Sequence, residues 1–441
     1  MWKLNFDDIY KGNPRPTGIQ GIVNDAKWCL LRLCWFYWNF ILQEAAEEKG
    51  DKISLQNGRP DLDFDLINDL PVDICNAILL RLSITDAVRT SILSRKWRYR
   101  WASIPHLVFD KDWILPKHHE VVDIINRVLS VHEGPAHKFV CSDHFLPLGQ
   151  CGHHMDQWIL FLSQHGIKQL TLGPFKRGYG YIIRYWYLMH SSLFSCLELT
   201  DLELASCAIN PPPAFEGFRH LRNLKLFDIV IGDDELEQLI SKCPLLETLT
   251  LDCIVGAFRF KINAPNLRYL CFTIEVQSSA YEDEYFHEGG ICNLIKVFGS
   301  LRHIEKLILQ YEALQFFSMG DIPDVLPASF LHLKNLSMAV SYMDSKEVFA
   351  TLYILRSSPN LEKLEILIKK RRREPYNTPL AVFWEAQEHL GCLLNHLQTV
   401  KMTRIRGKEC ELRFIKFVLM NAPVLETMSI DIKKEITMVK N

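Results

Sequence analysis

Leu221-Arg222-Asn223-Leu224-Lys225-Leu226 and, one repeat later, Leu246-Glu247-Thr248-Leu249-Thr250-Leu251 share the form L-x-x-L-x-L. The last apolar pair alternates with polar residues, the period of a short strand with one buried face. Outward in both directions the form returns. Before these runs it is Ile167-x-x-Leu170-x-Leu172 and Leu199-x-x-Leu202-x-Leu204. After them it is Leu267-x-x-Leu270-x-Phe272, Ile304-x-x-Leu307-x-Leu309, Leu333-x-x-Leu336-x-Met338 and Leu361-x-x-Leu364-x-Ile366. Leu397-x-x-Val400-x-Met402 and Leu425-x-x-Met428-x-Ile430 close the series. The ten copies start 21 to 37 residues apart, so the repeat is irregular and carries insertions. A self-similar period near this length marks a stacked repeat array, in which no unit buries its apolar face alone.

A second signal keeps phase. Pro244, Pro265, Pro359 and Pro423 each stand two residues before the first apolar position. Proline suits a strand entrance because it closes the preceding turn and cannot donate to a ladder. Between strands, Asp234 to Ser241 (Leu236, Leu239, Ile240) and Ser345 to Leu355 (Val348, Phe349, Leu352, Leu355) follow helical steps. The expectation is a solenoid of parallel strands backed by helices, with Glu275 to Leu301 and Lys369 to Cys392 leaving the core as insertions. Strand residues pointing away from the core, namely Arg222, Lys225, Glu247, Thr250, Arg268, Glu305, Glu362, Glu365 and Lys401, are contact candidates or simply a solvated face.

Composition sets the frame. The chain has 441 residues, 48% hydrophobic and 23% charged, with net charge −2. This excludes disorder over most of the length and gives no global drive toward nucleic acid or an anionic membrane. Thirteen Cys occur without a C-x-x-C pair, and no secretory signal is read at the start. A reducing compartment, cytoplasmic and/or nuclear, is expected. No apolar run reaches 18 residues, so no transmembrane span is expected. Residues 1–64 differ from the rest. Trp28 to Leu42 is apolar but carries Arg32 and Asn39. It suits an interfacial anchor, a partner-binding helix or a helix packed on the protein. Glu44 to Pro60 reads as a linker.

Residues 65–106 form a separate helical module. Asp69-Leu70-Pro71 is a helix start, with an acidic cap and Pro in the first turn. Leu70, Ile74, Ile78, Leu79 and Leu82 share one helical face, and Thr85 offers the next cap. Val88, Ile92, Trp97, Trp101 and Ile104 make a second stripe that changes phase near Ser94, so three short helices are expected. Forty residues cannot cover all this apolar surface, so part of it must meet a following domain or a partner.

The run from Leu70 to Trp101, L-P-V-D-I-C-N-A-I-L-L-R-L-S-I-T-D-A-V-R-T-S-I-L-S-R-K-W-R-Y-R-W, resembles the plant F-box motif. The resemblance implies docking onto a Skp-family adaptor and, through it, a cullin. It assigns Leu70, Pro71, Ile74, Ile78, Leu79, Leu82, Val88 and Ile92 to the adaptor-facing surface, and Trp97 and Trp101 to packing. Cys392 to Ile430 is similar to the FBD domain and reads as strand, Gly407 turn, helix from Glu411 to Met420, and last strand. The whole resembles the plant F-box/FBD/LRR-repeat family. That implies an α/β chain in which a small three-helix F-box precedes an irregular leucine-rich-repeat solenoid with a curved parallel sheet. The expected division is 1–64 extension and linker, 65–106 F-box, 107–379 repeats, 380–432 FBD-like terminal repeat and 433–441 tail. The implied function is the target-binding subunit of an SCF-type ubiquitin ligase, with a leucine-rich-repeat interaction scaffold outside any ligase as the alternative.

Other chemistry is thin. Cys141, His144, Cys151, His153 and His154 cluster before a helix expected over Met155–Ser163, but their spacing is not that of a zinc finger. Gly178-Tyr179-Gly180 lacks the rest of a phosphate-binding fingerprint. No nucleophile motif appears. Lys369 to Arg373 fits a solvated basic loop at least as well as an import signal or a nucleic-acid patch. No metal, cofactor, catalytic residue or nucleic-acid partner is expected.

Overall fold

The computed structural model describes residues 71–82, 84–92, 94–109, 118–141, 148–173, 186–257, 260–274, 301–311, 313–318, 330–342, 344–369 and 394–432. The stretch Trp28 to Leu42, the linker, Leu70, residues 275–300 and 370–393, and the tail lie outside them. The chain divides into two compact units, Met1–Phe139 and Val140–Asn441.

In the first unit, α1 (Val72–Leu79) and α2 (Ile84–Arg89) run into a 3-10 turn, Thr90–Ile92, and a second 3-10 turn covers Arg100–Ser103. After β1 (His106–Phe109) come α3 (His118–Val131) and β2 (Lys138–Cys141), which neighbours β1. Helix α1 starts later than its cap signal. Extended Pro71 is the N-cap, and its carbonyl accepts from the Cys75 N–H at 3.1 Å. Thr85 falls inside the first turn of α2 rather than capping it. The expected third helix is a pair of turns. Bonds of the i to i+3 kind, Arg100 N–H to the Trp97 carbonyl and Ala102 N–H to Tyr99, replace the α pattern. Ala102 and Pro105 carbonyls accept from Glu133 and Lys138 at 3.0 Å, tying these turns to the segment after α3 and to β2. A Cβ on Gly134 would lie 2.7 Å from the Ser103 carbonyl oxygen, so this close approach requires glycine.

The boundary between the units falls within β2, and in the second unit α4 (Leu148–Gln164) starts before the expected Met155 and takes in Cys151, His153 and His154. Then follow β3 (Gln169–Leu172), β4 (Tyr187–Leu188), β5 (Asp201–Ala205), β6 (Cys207–Ala208), β7 (Asn223–Phe227), α5 (Asp233–Ser241), β8 (Thr248–Asp252), β9 (Tyr269–Ile274) and β10 (Lys306–Tyr311). Next come α6 (Ala313–Ser318), β11 (Asn335–Val340), α7 (Ser345–Arg356), β12 (Lys363–Ile368), β13 (Thr399–Ile405), α8 (Glu409–Asn421) and β14 (Thr427–Ile432). Each L-x-x-L-x-L run gives one strand. They lie side by side in the order β3-β5-β7-β8-β9-β10-β11-β12-β13-β14, every neighbour parallel.

Register explains the motif. Leu202, Leu224, Leu249, Leu270, Leu307, Leu336, Leu364 and Val400 stack as one column. Leu204, Leu226, Leu251, Phe272, Leu309, Met338, Ile366 and Met402 stack as the next. None of these is more than 3% exposed. From Leu199 onward, the first apolar residue of each run ends a four-residue turn, as where the Leu246 N–H meets the Cys243 carbonyl at 3.2 Å. Pro244, Pro265, Pro359 and Pro423 hold the second position of such turns, where their fixed φ fits. One carbonyl per entrance then accepts two N–H groups from the next repeat. Arg222 takes Glu247 and Thr248, Glu247 takes Arg268 and Tyr269, and the series runs on to Gln398.

Two devices were not visible in the pattern. Ser206, Asp228 and Cys253 leave β5, β7 and β8 with φ of 53°, 53° and 54°, turning the chain off the sheet through the left-handed region. Buried carboxylates organise two helix starts. Glu347 accepts from the Ser341 N–H at 2.8 Å and meets Lys369 Nζ at 3.1 Å. One oxygen of Glu411 accepts from Arg406 and Lys408 N–H, at 2.8 and 3.2 Å, across Gly407 at φ 76°. Nothing crowds a Cβ there, so Gly407 is required for its backbone angle. Helices α5, α7 and α8 exceed their expected bounds by one or two residues at an end, and Phe349 of α7 is 45% exposed rather than packed.

Leu249→Ala should cost about 2–5 kcal/mol in urea unfolding, because the column above and below cannot collapse into the space. Burial lifts the Glu347 carboxyl above its ordinary value, with Lys369 opposing. Its stabilising contribution is therefore complete below the unfolded glutamate value of about 4.3 and is lost as pH rises through the raised folded value. Glu347→Gln should flatten the fall of the urea midpoint above about pH 4.

Candidate functional site

Helix α1 places the adaptor-facing residues differently from their common stripe. Ile78 and Leu79 are 2% and 0% exposed. With Cys75, Ile84, Ala87, Trp97 and Trp101 they make the module's own core. This corrects the expectation that both present an outer surface. A module this small with two tryptophans spends its inner helical face on itself. Pro71 is exposed, and Ile74, Leu82 and Val88 are half-buried. Ile92 ends the 3-10 turn. Leu70 is outside the described residues.

Sequence reasoning missed Val72 and Leu80, which are 59% and 43% exposed. They stand with Asn76 at i, i+4 and i+8, one exposed line on the helix. The only sequence signal was that both are apolar and off the inner stripe. Trp97 and Trp101 are buried, and Trp101 Nε1 donates to the Arg98 carbonyl at 3.1 Å. Arg100 lies 5.8 Å above the Trp97 ring, and Arg89 pairs with Asp86 at 3.0 Å. Arg95 and Arg98 are exposed.

In the second unit, the contact candidates of the outer sheet face pair with one another. The residue after the first apolar position alternates in sign from β7 to β12: Arg222, Glu247, Arg268, Glu305, Lys334, Glu362. Arg222 bonds Glu247, Arg268 meets Glu305 at 3.4 Å, and Lys334 meets Glu362 at 3.0 Å. Further in, Lys225 pairs with Glu203 at 3.3 Å and Lys363 with Glu365 at 2.8 Å. Asp201 accepts from Gln169, Thr200 and Asn223, and Lys306 sits 5.4 Å above the Tyr269 ring. Thr250 and Lys401 lie on the same outward face.

Such a face can hold a polypeptide through polar contacts. Cys271 is half-buried, and burial pushes its thiol up. Among the described residues, no three His, Cys, Asp or Glu are grouped to hold a metal. His153 instead faces Gln157 at 3.2 Å, while His144 lies outside the described residues. Among the described residues, no helix is long and apolar enough to cross a membrane.

An F-box domain family model matches residues 67–108, and an FBD model matches residues 388–430. A model of the LRR repeats of the FBD-associated F-box protein At5g56370 matches residues 155–287. The F-box/FBD/LRR-repeat protein At1g13570 of Arabidopsis thaliana is 37% identical over 390 residues, covering 83% of this chain and 91% of that protein. The chain belongs to the F-box/FBD/LRR-repeat family. More distant Arabidopsis members include the putative F-box/FBD/LRR-repeat protein At5g56810, 26% identical over 404 residues, covering 83% of this chain and 90% of that one. An internalin of Listeria monocytogenes covers 72% of this chain and 95% of its own at 13% identity and TM-score 0.24, too loose a superposition to argue from. In family terms, the F-box match contains the Trp97–Trp101 module, and the FBD match contains β13 and α8 with the Glu411 carboxylate between them.

Trp97→Ala should cost the F-box module about 3–5 kcal/mol, whereas Tyr99→Ala, at a residue 66% exposed, should change it by less than about 0.5 kcal/mol. Hydrogen exchange of peptides from residues 72–103 would separate the two.

Proposed function

We propose that this F-box/FBD/LRR-repeat protein is the substrate-recognition subunit of an SCF-type ubiquitin ligase. The observation that carries the reading is the F-box match at residues 67–108, laid on a helical module with exposed apolar residues outside its own core. In this reading a Skp-family adaptor covers Pro71, Val72, Ile74, Leu80, Leu82 and Val88, the resemblance adding Leu70 and Ile92 to the set, and links the chain to a cullin. The outer sheet face of the second unit holds the target. The mechanism is proximity: the target's lysines are held at high local concentration near a ubiquitin-charged enzyme borne elsewhere on the scaffold. The chain then needs no catalytic residue or cofactor of its own. Free cysteines throughout the described residues support work in a reducing compartment, cytoplasm or nucleus. A second reading, an interaction scaffold outside any ligase, draws on the burial of Ile78 and Leu79, which lets the module be purely structural.

The test is binding of the full-length chain to a plant Skp-family adaptor. Val72→Asp with Leu80→Asp should weaken binding at least about 30-fold, the effect of about 2 kcal/mol at an interface centre. Hydrogen exchange of residues 72–103 should stay as in the wild type, whereas Ile78→Asp should unfold the module. A folded wild-type chain that binds none of the adaptor paralogues would leave the scaffold reading standing.

A further inference from the structure

The last repeat of the second unit has one neighbour where an inner repeat has two. Among the described residues β14 closes the sheet order and pairs with β13 alone, Met428 beside Val400 and Ile430 beside Met402. The apolar columns therefore reach an open edge. Ile430 is 40% and Ile432 65% exposed, whereas Met402 and Ile405 beside them are 0% and 3%. Helix α8 is open in the same way. Glu347 of α7 and Glu411 of α8 are equivalent buried carboxylates at the helix starts. One, five and eight residues on, α7 carries Val348, Leu352 and Leu355, all buried. In the same places α8 carries Leu412, Lys416 and Leu419, all exposed. Met420 and Val424 extend this open apolar surface. A stacked repeat shows such a surface where no neighbour covers it, and an array end of this kind needs a cap.

We propose that a second copy of this chain supplies the other neighbour, by antiparallel pairing of β14 with its counterpart about a two-fold axis. An unpaired strand edge is a template for another strand, and a two-fold contact must be complementary to itself. β14 meets that condition with Ile430 on the axis. Ile430 then faces its own copy, and Met428 faces Ile432, so the apolar residues meet on one side of the sheet. On the other side the Ser429 hydroxyl meets the Asp431 carboxylate. Carried past the strand, the same register sets Glu426 opposite Lys434, a complementary pair made twice. The neighbouring registers are worse. An axis at Ser429 sets Ile432 against Glu426, and an axis at Asp431 sets two carboxylates face to face. Pairing about Ile430 continues the outer face from one copy into the next, so a target with two recognised sites is held at both. None of this depends on the ligase reading.

Sedimentation of the full-length chain from about 1 to about 50 µM tests this, with the wild-type chain expected as a dimer at the upper end. A residue on the axis meets itself with Cα atoms about 4.5–5.5 Å apart, within the span of a disulfide. Ile430→Cys should therefore form a covalent dimer under mild oxidation. Leu331→Cys, exposed at an inner repeat, should cross-link no more than the wild-type chain. Ile430→Lys and Ile430→Asp should each weaken dimerisation at least about tenfold, because like charges then face each other. Mixing those two variants should restore the dimer. Ile430 is exposed, so circular dichroism of both should match the wild type. A wild-type chain that stays monomeric at about 50 µM would overturn the proposal, whether residues 433–441 or another protein covers the end. So would a dimer that Ile430→Lys leaves intact, or equal cross-linking of Leu331→Cys and Ile430→Cys.

Discussion

Parallel stacking of two apolar columns is the constraint from which the rest of the second unit follows. A parallel ladder places each residue beside its counterpart in the next repeat, so a column position buried in one inner repeat is buried in its neighbours, and only at the last strand does Ile430 become 40% exposed. That demand fixes Leu224 over Leu249 and Leu226 over Leu251 and leaves the residues between them free to vary. Entrance turns, shared carbonyls and left-handed exits all serve this one spacing. A repeat supplies little stability by itself, and its strand becomes worth forming only when both neighbours are in place.

Because register is inherited from the columns, the polar face is a by-product that selection can write on. Its charges sit at fixed intervals of one strand, close enough to pair and too exposed for any pair to contribute much. This allows the face to be chemically varied at small cost to folding. The F-box module faces the opposite problem. Its few residues must supply both a core and an outer surface, and Ile78, Leu79, Trp97 and Trp101 are taken by the first requirement.

The solenoid was legible because its signal is repeated ten times and each copy corrects the noise in the others. Strand positions, the role of the prolines and the helices over Asp233–Ser241 and Ser345–Arg356 were therefore within reach. The site was legible only as a region. A helical stripe such as Ile74, Ile78, Leu79 and Leu82 tells which residues share a side, but not whether that side meets the protein or a partner. That choice depends on where the two tryptophans go, which no local pattern fixes. The exits at Ser206, Asp228 and Cys253 were hidden for another reason: side chains that avoid positive φ accept it here because their N–H groups are taken up by the next repeat. Glu347 and Glu411 read as ordinary helix-surface acids until the backbone N–H groups above them are seen.

The alternating row at the strand entrances carries a consequence for how such a chain can change in length. Arg222, Glu247, Arg268, Glu305, Lys334 and Glu362 behave as a parity code. Removing or duplicating one repeat among them sets two like charges side by side, about 4.8 Å apart, whereas removing or duplicating two leaves the sequence of signs intact. Within this stretch a change by two repeats keeps the alternation, while a change by one breaks it at the small cost of an exposed pair.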